Sequence, residues 1–355
     1  MKPIGDPDDP SMDNDRSQKR SGAKTFLLFV LKFVGTGIFL YWAFSLVDDK
    51  EALKENFKLA FSSPLWLACG IACAGFSVIA AAVRWFVLLR AMSMDVSFGY
   101  ISKLTLIAAL FNVASFGTAA GDAMKMISVM RRYPNKKVII TITVMVDHMV
   151  GFISAGLIFL CFGWGTGIVQ NADITGVREA FWAATAFQVV GIIFIVGMFA
   201  ISSDKTLEKF RAKVPRLANN KLIKSITNAL NVFRTSYRAC TLSLLASIVV
   251  SLTYFLCFYV GLRTIGEQVT ASTVLTVMPI VDVVSSLPIT ISGLGVRERA
   301  FDFMVSELAG IETSSAVSAS LIGFLFHVFW GIIGGIYLIF EKSAFAKKSQ
   351  PNPVS

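Results

Sequence analysis

The sequence has few of the residues on which most enzymes and metalloproteins depend. Among its 355 residues there are only two histidines and five cysteines, and charged residues make up 16%. The cysteines (Cys69, Cys73, Cys161, Cys240 and Cys257) lack zinc-type spacing, which argues against a metal site or a disulfide framework. HExxH, Walker-type phosphate-loop and GxSxG motifs are also missing. We therefore expect no metal, no cofactor and no enzyme of these classes.

The chain is instead rich in apolar residues. Hydrophobic residues make up 55% of it and the mean hydropathy is +0.66, far from the balance of a soluble domain. Several windows exceed the roughly 18 apolar residues that mark a membrane-spanning helix. We predict an all-α polytopic membrane protein with six full transmembrane helices. They lie near Phe26–Val47, Pro64–Leu89, Val138–Phe162, Ala180–Ile201, Cys240–Leu262 and Ser314–Phe340.

Two further apolar segments are shorter and are interrupted by small residues. The first, Ile101–Arg131, breaks at Ser115–Gly121, and the second, Ser272–Leu308, breaks at Pro288–Gly295. An interrupted helix leaves backbone groups unpaired, which a bilayer tolerates only inside protein or beside a water-filled cavity. Paired broken segments are typical of transporter binding sites. We therefore predict two re-entrant helical hairpins whose tips build a polar cavity near the membrane midplane.

The basic residues are distributed as a topology signal rather than as a nucleic-acid surface. With the N-terminus inside and each hairpin returning to its starting side, inside loops hold 23 of the 33 Lys and Arg residues and outside loops hold seven. This asymmetry predicts a protein of the cell membrane with cytoplasmic N- and C-termini. The first hairpin then enters from the cytoplasm and the second from outside, so that the two are opposed.

The membrane domain has polar flanks. Residues 1–24 are predicted to form a disordered cytoplasmic tail, residues 25–341 the transmembrane domain, and residues 342–355 a second cytoplasmic tail. Within the domain, segment 204–237 is strongly basic, with apolar residues at helical spacing. We interpret it either as an amphipathic helix on anionic cytoplasmic lipid or as a linker that follows the positive-inside rule.

Ionisable residues inside the apolar spans are the first candidates for a functional site, because burying them in a membrane is costly. Asp147 and His148 lie about ten residues into their span, hence roughly 15 Å deep at 1.5 Å per residue. This pair indicates one of two things. It is either a site that contacts a lipid headgroup or couples protons, or a buried polar cluster that holds helices together. The side chain of Arg84 either extends to the membrane interface (snorkelling) or binds a lipid phosphate with its planar guanidinium group. We interpret His327 as a core histidine.

In the first hairpin the candidates are Asn112, which precedes the break, and Asp122 and Lys125, which follow it. Asp122 is placed to cap the returning half-helix, and Lys125 lies about one turn further on. Asp282 occupies the corresponding position before the break of the second hairpin.

Five further candidates surround that second break. Pro288 ends the incoming half-helix by removing a donor, while Gly293 and Gly295 permit a close approach of the backbone. The next half-helix begins with free N–H groups, which suit an anion. Arg297 and Glu298 follow there, either as a phosphate-binding fork beside a carboxylate or as a structural ion pair.

Two short motifs carry a resemblance to a known family. They are Gly117–Gly121–Asp122 with Lys125 in the first hairpin, and Leu287-Pro288 with the Gly293–Glu298 run in the second. In these residues the chain resembles the lysylphosphatidylglycerol synthase transmembrane-region family of flippase-like membrane proteins, over about Lys24 to Phe340. The resemblance implies movement of an anionic phospholipid or a polyprenyl-phosphate-linked lipid between leaflets. Because no soluble aminoacyl-transferase domain follows in this sequence, it does not imply lysyl transfer.

We therefore predict a flippase-like translocase, with the arginines of the site on the lipid phosphate and its carboxylates setting the local charge. Two alternatives stay open. One is a membrane-embedded lipid-modifying transferase, and the other is an accessory subunit that partners a glycosyltransferase or a lipid synthase. In each case the expected partners are a lipid and the membrane, and not nucleic acid.

Overall fold

A computed structural model describes residues 50–114, 119–172, 175–201, 236–287 and 290–348, together with the single positions 38, 41, 45, 231 and 233. These residues form helices, turns and short irregular stretches, and no strand occurs in this part of the chain. The helices are α1 (Lys50–Phe61), α2 (Pro64–Ala91), α3 (Phe98–Ala114), α4 (Ala119–Arg132), α5 (Lys137–Phe159, continued by a π-helical turn Leu160–Trp164), α6 (Thr175–Ile201), α7 (Tyr237–Thr264), α8 (Ala271–Ser285), α9 (Val296–Ala309) and α10 (Thr313–Lys348).

Five of the helices are long and apolar enough to cross a membrane, namely α2, α5, α6, α7 and α10. They coincide with five of the six predicted spans, which confirms the prediction of an all-α polytopic membrane protein. The remaining predicted span, Phe26–Val47, lies almost entirely outside the described residues, and so do the first predicted tail and most of segment 204–237. Of the second predicted tail, residues 342–348 continue helix α10 and residues 349–355 lie outside the described residues.

The helix ends follow local sequence chemistry. Pro64 opens α2 at a position where its missing N–H is not needed, and Thr270 caps α8 by accepting a hydrogen bond from the amide of Thr273 at 3.3 Å. Gly310 ends α9 in the left-handed region with φ of +66°, a conformation that glycine adopts without steric cost. The turn between α9 and α10 therefore follows directly from the sequence.

Both interrupted segments fold as helical hairpins, as predicted. In the first, α3 and α4 are antiparallel, since Tyr100 at one end bonds to the carbonyl of Ser128 and Asn112 at the other bonds to Gly121. In the second, α8 and α9 pack against each other and are joined through a short 3₁₀ turn at Ile291–Gly293. The helix of the first hairpin resumes at Ala119, three residues earlier than the predicted break allows.

The two hairpins enter the bundle from opposite ends. The base of the first lies beside the end of α2, where the Tyr133 hydroxyl donates to the carbonyl of Asp95. The second follows α7, whose last turn meets the start of α2 through the Ser63 hydroxyl and the Thr264 carbonyl at 3.1 Å. Since α2 spans the membrane, the predicted opposition of the hairpins is confirmed.

Close helix packing holds the hairpins inside the ring of spanning helices. Helix α7 packs along α2, and a buried apolar cluster around Phe255, Phe258 and Phe301 joins α7, α8, α9 and α10. Helix α10 crosses α3 at Gly334, where an added Cβ would stand 2.0 Å from the carbonyl oxygen of Leu106. Small residues at such crossings let membrane helices approach closely. The resulting van der Waals contacts stabilise the pair, because the hydrophobic effect does not drive helices together within lipid.

This crossing gives a first prediction. Gly334→Ala should destabilise the protein by about 1–3 kcal/mol, because the backbone of α3 cannot yield to the new methyl group. Gly197→Ala in α6 is the matched control, since no heavy atom lies within 4 Å of its added Cβ. Thermal unfolding of the two variants in one detergent measures the difference, and equal melting temperatures would contradict the packing described here.

Candidate functional site

A cavity of about 800 Å³ lies among the hairpins and the spanning helices, with several charged and hydroxyl groups on a largely apolar wall. Its wall includes residues from the middle of the spans, such as Asp147 and Gly151 of α5, Ser251 and Tyr254 of α7, and His327 of α10. These positions are ten or more residues from the ends of their helices, which at 1.5 Å per residue places them roughly 15 Å deep. The cavity therefore lies in the middle of the membrane.

The first charged group on the wall is an ion pair between α2 and α5. Nε and Nη2 of Arg84 lie 2.6 and 2.8 Å from the two carboxylate oxygens of Asp147, and Nη1 donates to the Ser247 hydroxyl of α7 at 2.9 Å. The Ser154 hydroxyl lies 3.0 Å from that of Ser247 and 2.9 Å from that of Ser251. A hydroxyl chain thus runs from the guanidinium to the cavity wall across three helices.

A second charged group adjoins the first. Asp122 of the first hairpin accepts from Nζ of Lys125 at 2.7 Å and lies 3.0 Å from Nε2 of His148. Nζ of Lys125 also stands 5.1 Å from the ring centroid of Trp85, the residue after Arg84, within range of a cation–π contact. Helices α2, α4 and α5 therefore bring two carboxylates, two permanent cations and one histidine to one wall.

The wall also carries Asp282 of α8 and Tyr254 of α7. The ring of Tyr254 lies edge-on to that of His327 at 4.8 Å, and Nδ1 of His327 lies 3.1 Å from the Gly323 carbonyl of its own helix. His327 is thus satisfied by its helix, as predicted, but its ring lines the cavity instead of being sealed in the core.

Arg297 and Glu298 form a buried ion pair at the start of α9. Nε and Nη2 of Arg297 lie 3.1 and 2.7 Å from Oε1 of Glu298, and both side chains are at most 3% exposed. The other oxygen of Glu298 accepts the amide of Gly295 at 2.5 Å, and the guanidinium stands 4.2 Å from the ring centroid of Phe324. The structure therefore matches the structural ion pair, the second of the two alternatives for these residues.

The tips of the two hairpins touch. The Ser292 hydroxyl lies 2.7 and 2.9 Å from the carbonyl oxygens of Asn112 and Val113, which belong to the last turn of α3. The Asn112 side chain in turn accepts the amide of Gly121 in the first turn of α4 at 3.1 Å. Backbone groups left unpaired at these helix ends are thereby satisfied within the protein.

Comparison with known families decides where this architecture belongs. Residues 29–335 match the family model described as the lysylphosphatidylglycerol synthase TM region. The chain belongs to this family. The match covers both hairpins and all five of the spanning helices described above, apart from the end of α10. No match was found among curated proteins.

Membership of the lysylphosphatidylglycerol synthase transmembrane-region family confirms the predicted resemblance. Together with the apolar helices, it makes the chain a multi-pass membrane protein of a family related to lipid synthesis or flipping. It associates with the membrane and acts in a lipid context.

Eight of the twelve predicted site residues line the cavity. They are Arg84, Asn112, Asp122, Lys125, Asp147, His148, Asp282 and Arg297. Glu298 contacts Arg297 directly, Gly293 and Gly295 belong to the tip of the second hairpin, and Pro288 lies outside the described residues. The structure thus gathers candidates from four separate stretches of sequence around one space, while their roles stay predictions.

Three expectations about these residues are corrected. Arg84 does not snorkel to the interface but pairs with Asp147, because a carboxylate lies within reach at the same depth. Asp122 does not cap α4, since Asn112 takes that place and the Asp122 carboxylate turns to Lys125. The N–H end of α9 and the charges that follow the breaks are not free, because acidic side chains of the protein itself occupy them.

Sequence reasoning missed the uncharged part of the wall. Ser243, Ser247 and Ser251 repeat at four-residue spacing on α7, a stripe of small polar residues that is typical of contacts between membrane helices. That spacing was the available signal for the hydroxyl chain. Ser292 gave no such signal, because its bond to α3 depends on the meeting of two hairpins 180 residues apart.

The contact between the tips gives a second prediction. Ser292→Ala should weaken the last turn of α3, because its carbonyls lose their hydroxyl donor at a cost of about 1 kcal/mol. Hydrogen exchange of the amides in residues 108–114 should become faster. Ser286→Ala is the control, since that hydroxyl donates to the Val283 carbonyl of its own helix and should leave exchange in α3 unchanged.

The cavity itself gives a third prediction. In a background without native cysteines, Val283→Cys should react with charged, water-soluble thiol reagents, because Val283 lines the cavity and is 38% exposed. Leu325→Cys, at a position that is 45% exposed but outside the cavity, should be protected by lipid. Protection of both positions in liposomes would mean that water does not enter the cavity.

Proposed function

We propose that this protein moves a phospholipid or another phosphate-linked lipid between the leaflets of the cell membrane. The observation that carries the proposal is a cavity of about 800 Å³, with charged and hydroxyl groups on an otherwise apolar wall, at mid-depth in a bundle of membrane helices. A polar headgroup crosses hydrocarbon slowly because each unsatisfied polar group costs several kcal/mol there. A cavity that offers hydroxyls and charges at the midplane removes much of that cost.

The size of the cavity supports a headgroup as its occupant. Small-molecule sites enclose about 300–1,000 Å³, so this space suits a headgroup but not a whole lipid with its acyl chains. Donors for phosphate oxygens are present on one wall as Arg84 and Lys125, and Ser251 and Tyr254 add hydroxyls. Arginine matches phosphate oxygens with two parallel bonds, which makes Arg84 the first candidate for the contact.

The rim of the cavity supports a path for the tails. Val283, Val284 and Phe187 line the cavity and are also exposed, by 38%, 38% and 53%. Side chains that do both mark a lateral opening between α8 and α6. These side chains are apolar, so the opening suits acyl chains that stay in the bilayer while the headgroup occupies the cavity.

The proposal involves no covalent change, in contrast to a lipid-modifying transferase. The hydrogen-bonded cluster of Asp122, His148 and Lys125 is the place where a transferase would hold a general base. A transferase requires an activated donor and yields a new lipid, whereas a translocase yields the same lipid in the other leaflet. Lipid analysis after the reaction therefore separates the two functions.

The orientation in the membrane is part of the proposal. The excess of Lys and Arg in loops on the side of the α3–α4 base supports cytoplasmic termini and entry of the first hairpin from the cytoplasm. Arg131 and Arg132 at the end of α4 and Lys136 and Lys137 at the start of α5 lie on that side. The second hairpin then opens toward the outer leaflet.

The fourth prediction tests transport directly. In proteoliposomes, the purified protein should move fluorescent phospholipids between leaflets faster than protein-free liposomes. Val284→Trp should reduce the rate by about tenfold or more, because an indole at the rim obstructs the opening and a tenfold change needs only 1.4 kcal/mol. Leu325→Trp is the control, since Leu325 is 45% exposed and lies outside the cavity.

The outcomes separate the candidate functions. Movement of unmodified lipid that depends on the rim supports translocation. A new lipid species formed only with an activated donor supports the transferase instead. Absence of both activities, with stable co-purification of a glycosyltransferase or a lipid synthase, supports an accessory subunit and contradicts the proposal.

A further inference from the structure

The guanidinium of Arg84 faces the carboxylate of Asp147 with two of its nitrogens. Nη2 donates to Oδ2 at 2.8 Å, while Nε and Oδ1 are 2.6 Å apart without the alignment of a hydrogen bond. A phosphate offers two oxygens to the same edge of an arginine and forms two parallel bonds with it. Asp147 therefore occupies the position that a lipid phosphate would need in order to bind Arg84.

The pair also lies on the wall of the cavity and not between sealed helices. Both residues line the cavity, and the neighbouring position on α5 is Gly151, whose added Cβ would stand 3.4 Å from Nη1 of Arg84. The absence of a side chain at Gly151 leaves space beside the guanidinium. An anion in the cavity can approach the guanidinium of Arg84 from the side of Nη1, where this space lies.

Replacing the Asp147 carboxylate beside Arg84 with another anion costs less free energy than leaving the guanidinium unpaired. Removing one partner of a buried ion pair costs about 3–5 kcal/mol, because the other charge is left uncompensated. If a phosphate takes the place of Asp147, the guanidinium stays paired throughout. The displaced carboxylate has other donors close by, since the imidazole of His148 belongs to the next residue and the ammonium group of Lys125 lies against Trp85.

We propose that Asp147 is an internal substitute for the lipid phosphate, which neutralises Arg84 in the empty cavity and is displaced when a headgroup binds. This inference rests on the proposed function. It makes Asp147 a positioning residue that acts through Arg84: its carboxylate holds the guanidinium in place and competes with the ligand for it. Release of the lipid is then assisted by the return of the carboxylate.

The inference predicts opposite effects for the two members of one ion pair. Arg84→Gln should weaken binding of dihexanoyl phosphatidylglycerol by about tenfold or more, because a charge-assisted pair is lost. Asp147→Asn should strengthen binding by about fivefold, because the competing anion is gone. The same variant should transport lipid more slowly than the wild type, since release lacks the returning carboxylate. A purely structural pair would instead give losses of the same sign.

Calorimetric titration of the purified full chain in detergent measures these affinities, with dihexanoylglycerol and inorganic phosphate as further probes. Asp302→Asn is the matched control, because Asp302 is a buried carboxylate paired with Arg299 at 2.5 Å and lies outside the cavity. It should lower the melting temperature and leave lipid affinity unchanged. The double variant Arg84→Gln with Asp147→Asn should fold, because both charges are removed together, and should bind weakly.

The results separate this inference from the function on which it rests. If the wild type binds and transports phospholipid but Asp147→Asn and Arg84→Gln weaken binding alike, the inference is overturned and the function stands. Binding of dihexanoylglycerol as tight as that of dihexanoyl phosphatidylglycerol overturns the phosphate contact. Binding of inorganic phosphate alone, without transport of any lipid by the wild type, overturns the function and the inference together.

Discussion

The structure depends on one constraint: a helix that stops inside a membrane must have its unpaired backbone groups satisfied by the protein. The two hairpins meet this constraint partly through each other. Ser292 at one tip donates to the carbonyls that end α3, and Asn112 accepts an amide that begins α4. Glu298 does the same for the amide of Gly295 at the start of α9. The end of α3 thus depends on contact between the tips, whereas the starts of α4 and α9 are satisfied within their own hairpins.

Charged side chains at the same depth must likewise be paired within the protein. Arg84, Lys125 and Arg297 each have a carboxylate within 2.7 Å, so no strong positive field remains in this part of the cavity. Neutral pairs are cheaper to keep in a low-dielectric environment than separated charges. The two types of pair differ in what surrounds them, however. Arg297 is enclosed by Phe324 and Glu298, whereas Arg84 and Lys125 share one wall with an exposed His148.

Much of the fold could be predicted from the sequence, and the interactions in the site could not. Long apolar runs and their small-residue breaks have local causes, which is why five spans and both hairpins were found. The partner of a charge is set by tertiary packing: Arg84 and Asp147 are 63 residues apart, and nothing local indicates that they meet. For Arg297 the sequence left two alternatives open, because adjacency to Glu298 does not show that the two side chains turn toward each other, as they do in the structure. Residue type and depth predicted which side chains reach the cavity, but not whether they are free.

Neutral pairing changes what a translocation site must do. A cavity with bare cations would bind a phosphate tightly and release it slowly, because the empty state would carry the full cost of unpaired charge. A cavity whose cations are already paired has a low-energy empty state, so binding and release differ by an exchange of partners. Such a site binds its ligand less tightly and releases it faster. Binding energy that is equal in the ground state and the transition state does not raise the rate. The carboxylates beside Arg84 and Lys125 thus make the cavity suited to passage of a headgroup and poorly suited to its retention.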